Sequence, residues 1–321
     1  MTEQQTLSAL IHALNHVTDV VPHADAAPLA NAVFVGSGDS LSSGMLANRF
    51  GHRSMSSGDI TWMDALPAAC ETLVGISHSG TSGATVRALR LAGAAGVRTI
   101  AVTSNPASPL AEAADLVQQV PTLNVTETVP VAGHLMLGLG VGALSGASTA
   151  GAGRALARIL DQNQQLITDA VDALPSRAPS GISILTLPDL RSAGDFWSLK
   201  LIEATGLPVR SVALEESGHV DYFLGPQEHL TINLIGTAGL ARHTRLAEAL
   251  ASTGQTMQSI SVGTFAQPSQ GGPDVIMDLG AAIVGAFLAA GAGRRWGRRP
   301  FRGGAVNMDA RHIKLDEQPV S

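Results

Sequence analysis

Between Gly75 and Asn105 the chain reads GISHSGTSGATVRALRLAGAAGVRTIAVTSN, and the order of segments in this stretch restricts the fold more than any other. The run ETLVGIS is short, apolar and partly β-branched, as a buried strand requires. A loop follows that carries the hydroxyls of Ser77, Ser79, Thr81 and Ser82 between glycines. Val86, Leu89 and Leu91 then recur at helical spacing up to a stop signal at Gly96, and VRTIAVTSN is a second apolar run. Strand, polar loop, helix, strand is the βαβ unit of a parallel sheet. A polar loop that opens a helix meets free backbone amides and the positive end of the helix dipole. With its hydroxyls added, it makes a cradle for an anion. Taken alone, the same residues also serve as ordinary helix caps.

The alternation extends along the chain. A leading helix within residues 1–30 precedes the strand and Gly/Ser loop of NAVFVGSGDS, a helix in LSSGMLANRFG, a short strand in HRSMSSGD and a short helix in WMDALPAAC. After the βαβ unit, Ser108 and Pro109 mark the cap and first position of a helix, followed by an edge strand. A long helical region ends in the Pro/Ser-rich DALPSRAPSG, which predicts a boundary there. Strands then alternate again with helices through GISILTLPD, AGDFWSLKLIEATG, LPVRSVALEE, HLTINLIG, AGLARHTRLAEALASTG and QTMQSISVG, and AAIVGAFLAAGAG supplies a closing helix. The expectation is α/β: two tandem doubly wound parallel-sheet domains flanked by helices, residues 1–175 with the leading helix and 176–321 with a C-terminal tail.

Composition narrows the function. The net charge of −6 gives no general electrostatic case for nucleic acid. The only cysteine, Cys70, excludes an intramolecular disulfide and predicts a reducing compartment, with Cys70 as a small buried hydrophobe. The start lacks the basic and apolar regions of a signal peptide, so the expected location is the cytoplasm. Residues 129–153 and the AAIVGAFLAAGAG segment imitate membrane spans, but their glycines and modest hydropathy predict helices buried in protein. The arginines of RRWGRRPFR, 294–302, predict an exposed helix exit or an intersubunit salt-bridge surface.

Two loops together carry a resemblance. Ser37-Gly38-Asp39-Ser40-Leu41-Ser42-Ser43-Gly44-Met45 runs without a gap beside the Cys-Gly-Thr-Ser-x-x-Ser-Gly-Met loop of the sugar isomerase (SIS) family, to which the isomerase half of glucosamine-6-phosphate synthase belongs. The family's second loop is commonly Ile-Ser-x-Ser-Gly-x-Thr. Ile76, Ser77, Ser79 and Gly80 match it, His78 replaces a frequent Gln, and Ser82 replaces the Thr. VTET at 125–128 occupies the place of a loop that helps to line the sugar pocket, which implies roles for Thr126 and Glu127. In the second half, SLKLIEATGLPVRSVALEESGH resembles the family's LKLKE…E-x-x-H segment. It sets Glu203 in line with the carboxylate that moves the sugar proton. His219 falls in line with the ring-opening histidine, which relatives receive from the neighbouring subunit, and Glu216 is the Glu of E-x-x-H. The usual Gly-Pro after that His is replaced by Val220-Asp221-Tyr222. In the tail, Arg311 stands where relatives carry a lysine near the sugar carbonyl, with Lys314 three residues on. Arginine is too weak an acid for Schiff-base chemistry and would act only electrostatically.

The resemblance implies a phosphosugar isomerase or aminosugar-phosphate deaminase/isomerase working by enediol(ate) proton transfer on an open-chain sugar phosphate. It also implies a homodimer with its active site at the subunit interface, and no membrane or nucleic-acid partner. The sequence shows no glutamine-hydrolysing domain, so a free-standing enzyme without its own ammonia source is expected. Glu203 in an apolar helix environment would suit a proton shuttle, and His219 would suit ring opening near neutral pH. Gly38, Ser40, Ser77, His78, Ser79 and Ser82 would hold the phosphate. No metal or cofactor is called for. His134, on an apolar segment, reads as a satisfied core histidine. A sugar-phosphate sensor that keeps the fold without catalysis is the alternative, and a sulfonate or sugar-acid carboxylate would fit the same cradle.

Overall fold

The computed structural model describes residues 3–26, 29–224, 228–267 and 273–297. Its apolar runs form two all-parallel sheets. β1 (Ala32–Gly36), β2 (Arg53–Ser56), β3 (Thr72–Ile76), β4 (Arg98–Thr103) and β5 (Leu116–Gln119) line up in the order β2-β1-β3-β4-β5. β6 (Gly181–Thr186), β7 (Val209–Ala213), β8 (His229–Ile235) and β9 (Thr256–Ser261) line up as β7-β6-β8-β9. Each sheet lays its second strand on one side of the first and its later strands on the other. β6, β7, β8 and β9 therefore stand to the second sheet as β1, β2, β3 and β4 stand to the first. β1, β3 and β6 are buried at every position, as expected of parallel strands covered on both faces.

The helices are α1 (Glu3–His16), α2 (Asp39–Gly44), α3 (Ser57–Met63), α4 (Gly83–Ala94), α5 (Pro109–Glu112), α6 (Ala132–Ser145), α7 (Ala152–Gln162), α8 (Gln164–Asp172), α9 (Arg191–Thr205), α10 (Leu240–Ser252) and α11 (Val275–Arg295). α5 starts as expected: the Ser108 hydroxyl accepts from the Ala111 amide and Pro109 occupies the first turn. α3 differs from expectation. The helix starts five residues before WMDALPAAC and ends at its second residue, Met63, because Ser56 and Asp59 form a reciprocal capping box that starts it at Ser57. Asp64, in the left-handed region at φ 47°, ends it.

α6 and α11 are apolar all round and buried, so each needs protein on every side. α11 packs most extensively on α9 and also meets α6, α7 and α8. At Gly285 the backbone of α11 lies against the Trp197 ring, so closely that a Cβ there would overlap it, and the indole N–H donates to the Ala281 carbonyl at 2.8 Å. One continuous apolar core runs from α1 through α6 and α9 to α11 and joins the two sheets. α11 has the length and hydropathy of a membrane span, but its apolar window is wholly buried within the protein. At its exit Arg294 pairs with Glu3 and Arg295 with Asp172. That part of the arginine run thus ties down this chain's own helices; residues 298–302 lie outside the described residues. Cys70 is half-buried rather than buried. Its thiol reaches the Thr72 carbonyl, and partial burial pushes it up from the ordinary thiol value.

Candidate functional site

β1 and β3 are neighbours in the first sheet, so the loops at their carboxyl ends lie side by side. The first loop leads from Gly36 through Gly38, at φ 56°, into α2. Ser40 is half-buried there. Two further hydroxyls fasten this loop to other elements. Ser42 donates to Asp195 of α9 at 2.6 Å, and Ser43 lies 2.9 Å from Nδ1 of His134 on α6.

The second loop joins β3 to α4. Gly80, at φ 70°, turns the chain so close to Ser108 that any Cβ would overlap its hydroxyl. The His78 carbonyl is pinned by Ser104 and Thr103 hydroxyls at 2.8 and 3.1 Å. Ser79 and Thr81 hydroxyls pair at 2.8 Å on the exposed rim, whereas Ser77 is buried. Ser82 is the N-cap residue of α4 in extended conformation, but its hydroxyl bonds no first-turn amide and instead accepts from Thr85 at 3.2 Å. Ser56, Ser108 and Asp274 do cap their helices. The first-turn amides of α4 thus open toward a rim of hydroxyls, the arrangement that receives anions.

Beside this rim lies a charged cluster that sequence reading missed. Lys200 on α9 is only 1% exposed. Its ammonium reaches Asp39 Oδ2 at 2.7 Å and the two Glu203 carboxylate oxygens at 3.1 and 3.0 Å, and stands 5.3 Å from the centre of the Phe196 ring. One turn of helix separates Lys200 from Glu203, so the two share a face. Glu203 is not in the apolar setting expected of it: its side chain is 43% exposed and set against the ammonium. The signal was in SLKLIEATG, where a lysine falls three residues before the acid.

Glu127 closes the cluster from the other side. Its Oε1 accepts from the amides of Val131 and Ala132, both at 2.9 Å, and so starts α6. Burial raises its pKa; the two amides and the Lys200 charge pull it back, and Asp39 raises it further. His78 reaches the same helix start, its ring against Gly133, and burial lowers its pKa. His134 stacks on Phe196 at 4.2 Å. Complete burial, reinforced by the Lys200 charge, brings it down to about 3, while the Asp39 carbonyl acts the other way. Its Nε2 has no hydrogen-bond partner, so it is a core histidine only half satisfied.

The structure gathers Gly38, Ser40, Ser77, His78, Ser79, Ser82, Glu127 and Glu203 on the two loops and the helices that close them. It does not gather His219 or Thr126 in this way. His219 caps an exposed 3-10 turn, Leu214–Gly218, where its amide donates to the Glu216 carbonyl at 2.9 Å. Among the described residues no hydrogen bond or ion pair joins it to Glu203. Thr126 is exposed on the loop before Glu127. Arg311 and Lys314 lie outside the described residues.

The SIS domain family matches residues 31–133, which hold the first sheet, both loops and the start of α6. No curated protein matches the sequence. Solved structures match nearly its whole length. A glucosamine-6-phosphate deaminase from Thermotoga maritima is 16% identical, with 94% of this chain and 97% of that one covered at a TM-score of 0.68. The C-terminal domain of glucosamine-fructose-6-phosphate aminotransferase from Francisella tularensis is 11% identical, with coverage of 92% and 96% at 0.69. A tagatose-6-phosphate ketose/aldose isomerase from Escherichia coli is 18% identical, with coverage of 94% and 89% at 0.68. Residues 31–133 match the SIS domain, and the chain shares the two-sheet fold of these structures along its described length.

Proposed function

We propose that the chain is an aldose–ketose isomerase, or an aminosugar-phosphate isomerase that releases ammonia, acting on an open-chain sugar phosphate. The observation that carries this reading is the Lys200 ammonium, buried between Asp39 and Glu203 beside an uncapped helix start rimmed with hydroxyls. The phosphate sits on the first-turn amides of α4 with Ser40, Ser77, Ser79 and Ser82. It supplies binding energy remote from the reacting carbons. Glu203 takes the proton from C2 of the aldose and returns it to C1, while the O2 proton passes to O1. With an aminosugar the nitrogen proton moves instead, and water hydrolyses the resulting C2 imine to ketone and ammonia. The electron pair moves onto the carbonyl oxygen as an enediolate, whose charge Lys200 offsets. Ring opening falls to His219 of a second copy, in a homodimer whose site is completed across the interface; its exposed position suits that role.

The test is a thermal-shift screen of wild type and Glu203→Gln against hexose 6-phosphates, pentose 5-phosphates and their amino derivatives. Each hit is then followed by proton NMR for deuterium uptake at C2. Binding by both proteins with exchange only in wild type is the expected result. Binding without exchange in either supports the sensor instead. A chain that shifts with sulfonated or acidic sugars and with no sugar phosphate would overturn both.

A further inference from the structure

A second cleft, of about 600 Å³, opens at the carboxyl ends of β6 and β7, against the 3-10 segment Met45–Phe50 of the first unit. It lies apart from the Lys200 cluster, and the charge along its wall is out of balance. Arg191, the first residue of α9, lines it. Its guanidinium makes no hydrogen bond or ion pair with the described residues, and Nη1 is buried without a partner. A cation in that place is opposed twice. Partial burial without a paired carboxylate is unfavourable, and the amino end of a fifteen-residue helix repels positive charge. Arg49 lines the cleft from the first unit; it donates to the Asp274 carbonyl and lies near the buried Asp278 carboxyl. Thr186, 1% exposed, lines it, and its hydroxyl, buried beside Gly194, has no partner. The acid on this wall, Glu215, is already paired with Arg242. The remaining wall is mostly apolar, with Met45, Leu187 and Leu214.

We infer that this cleft binds a small organic phosphate, its oxyanion held by Arg191, Arg49 and Thr186 and its carbon body against the apolar wall. Two guanidiniums and a hydroxyl offer more donors than the two oxygens of a carboxylate take up, whereas three phosphate oxygens use them. The occupant touches both units, at the start of the helix that carries Lys200 and Glu203. It is thus a site for an effector, separate from the cradle at α4.

The experiment titrates phenyl phosphate into the full chain by calorimetry, with benzoate as the carboxylate counterpart, for wild type, Arg191→Gln, Thr186→Val and Ser82→Ala. Arg191→Gln is expected to weaken one class of site about 10- to 100-fold. Thr186→Val weakens the same class severalfold, and Ser82→Ala leaves it alone. Without ligand, Arg191→Gln is expected to melt above wild type, since it removes an unpaired, half-buried charge from a helix start. Unchanged binding in both cleft variants would overturn the inference, as would Arg191→Gln melting below wild type with no loss of binding. Benzoate binding as tightly as phenyl phosphate would overturn the phosphate assignment. Thr186→Val, nearly isosteric, keeps the test decisive if the arginine variant does not fold.

Discussion

The loops that follow β3 and β8 occupy equivalent places in the two sheets, and they treat an anion in opposite ways. After β3, the start of α4 faces outward with Ser77, Ser79 and Ser82 around it and no carboxylate of its own upon its amides. After β8, Asp189 fills the corresponding place. Its Oδ2 accepts from the amides of Thr237 and Ala238 at 3.0 and 3.1 Å, and Gly236 leaves just enough room for it. The loop after β3 leaves the start of α4 without a carboxylate, whereas the loop after β8 has its Thr237 and Ala238 amides satisfied from within. Equivalent topology thus carries two different loops, with the asymmetry written in one acidic side chain.

Four measurements would break or sharpen this contrast, and the glycines carry the largest expected effect. Gly80→Ala combines a left-handed backbone with an overlap on Ser108, and Gly236→Ala drives a methyl into Asp189. Each should cost about 2–5 kcal/mol in urea unfolding. Only Gly80→Ala should also abolish phosphate-dependent stabilisation; loss in both would erase the distinction.

The next effect is a pair of opposed pH dependences. His134 on α6 and Asp278 on α11 are both fully buried and held neutral, His134 down to about 3 from 6.5 and Asp278 up to about 7 from 3.8. For Asp278 burial is the main cause, with Arg49, Ala193 and Ser192 opposing it and Asp189 adding to it. Between about pH 4 and 6.5 unfolding takes up a proton at His134 and releases one at Asp278. The first makes stability rise with pH and the second makes it fall, each by at most about 1.4 kcal/mol per pH unit. Asp278→Asn should therefore gain on wild type as pH rises from 4 to 7. His134→Gln should lose on wild type from 4 to 6.5. Parallel curves of unfolding midpoint against pH for all three proteins would contradict this.

Asp189→Ala strips two amides of their acceptor and should cost about 1.5–3 kcal/mol. Millimolar phosphate should return more stability to this variant than it gives wild type, because the second cradle has been vacated. Equal increments would show that the two loops are not equivalent. The smallest effect is at the caps. Ser108→Ala should lose about 1 kcal/mol, whereas Ser82→Ala should stay within about 0.5 kcal/mol. Yet Ser82→Ala should weaken sugar-phosphate binding about tenfold, read by calorimetry.

Much of this was legible in the sequence, for identifiable reasons. Parallel strands buried on both faces leave continuous apolar runs, so β1, β3, β6 and β8 could be found from the chain alone. The hydroxyl loop was visible because polar residues at that density between a strand and a helix are unusual. Lys200 was harder to see. A lysine among Leu and Ile on a helix reads as a solvent-facing residue until Asp39, distant in sequence, is found beside it. Asp189 was invisible for the same reason: its partners, Thr237 and Ala238, lie on another loop and offer only backbone. α3 was misplaced because the capping box of Ser56 and Asp59 outweighs the more apolar residues that follow.

The burial of α11 carries a consequence for how the chain is made. Its residues leave the ribosome after Trp197 and α6, yet they cover the first and pack on the second. Until residue 295 emerges, the nascent chain presents an uncovered apolar face that joins both units. Such a chain completes this core only once α11 has emerged, and its apolar face is open to aggregation until then.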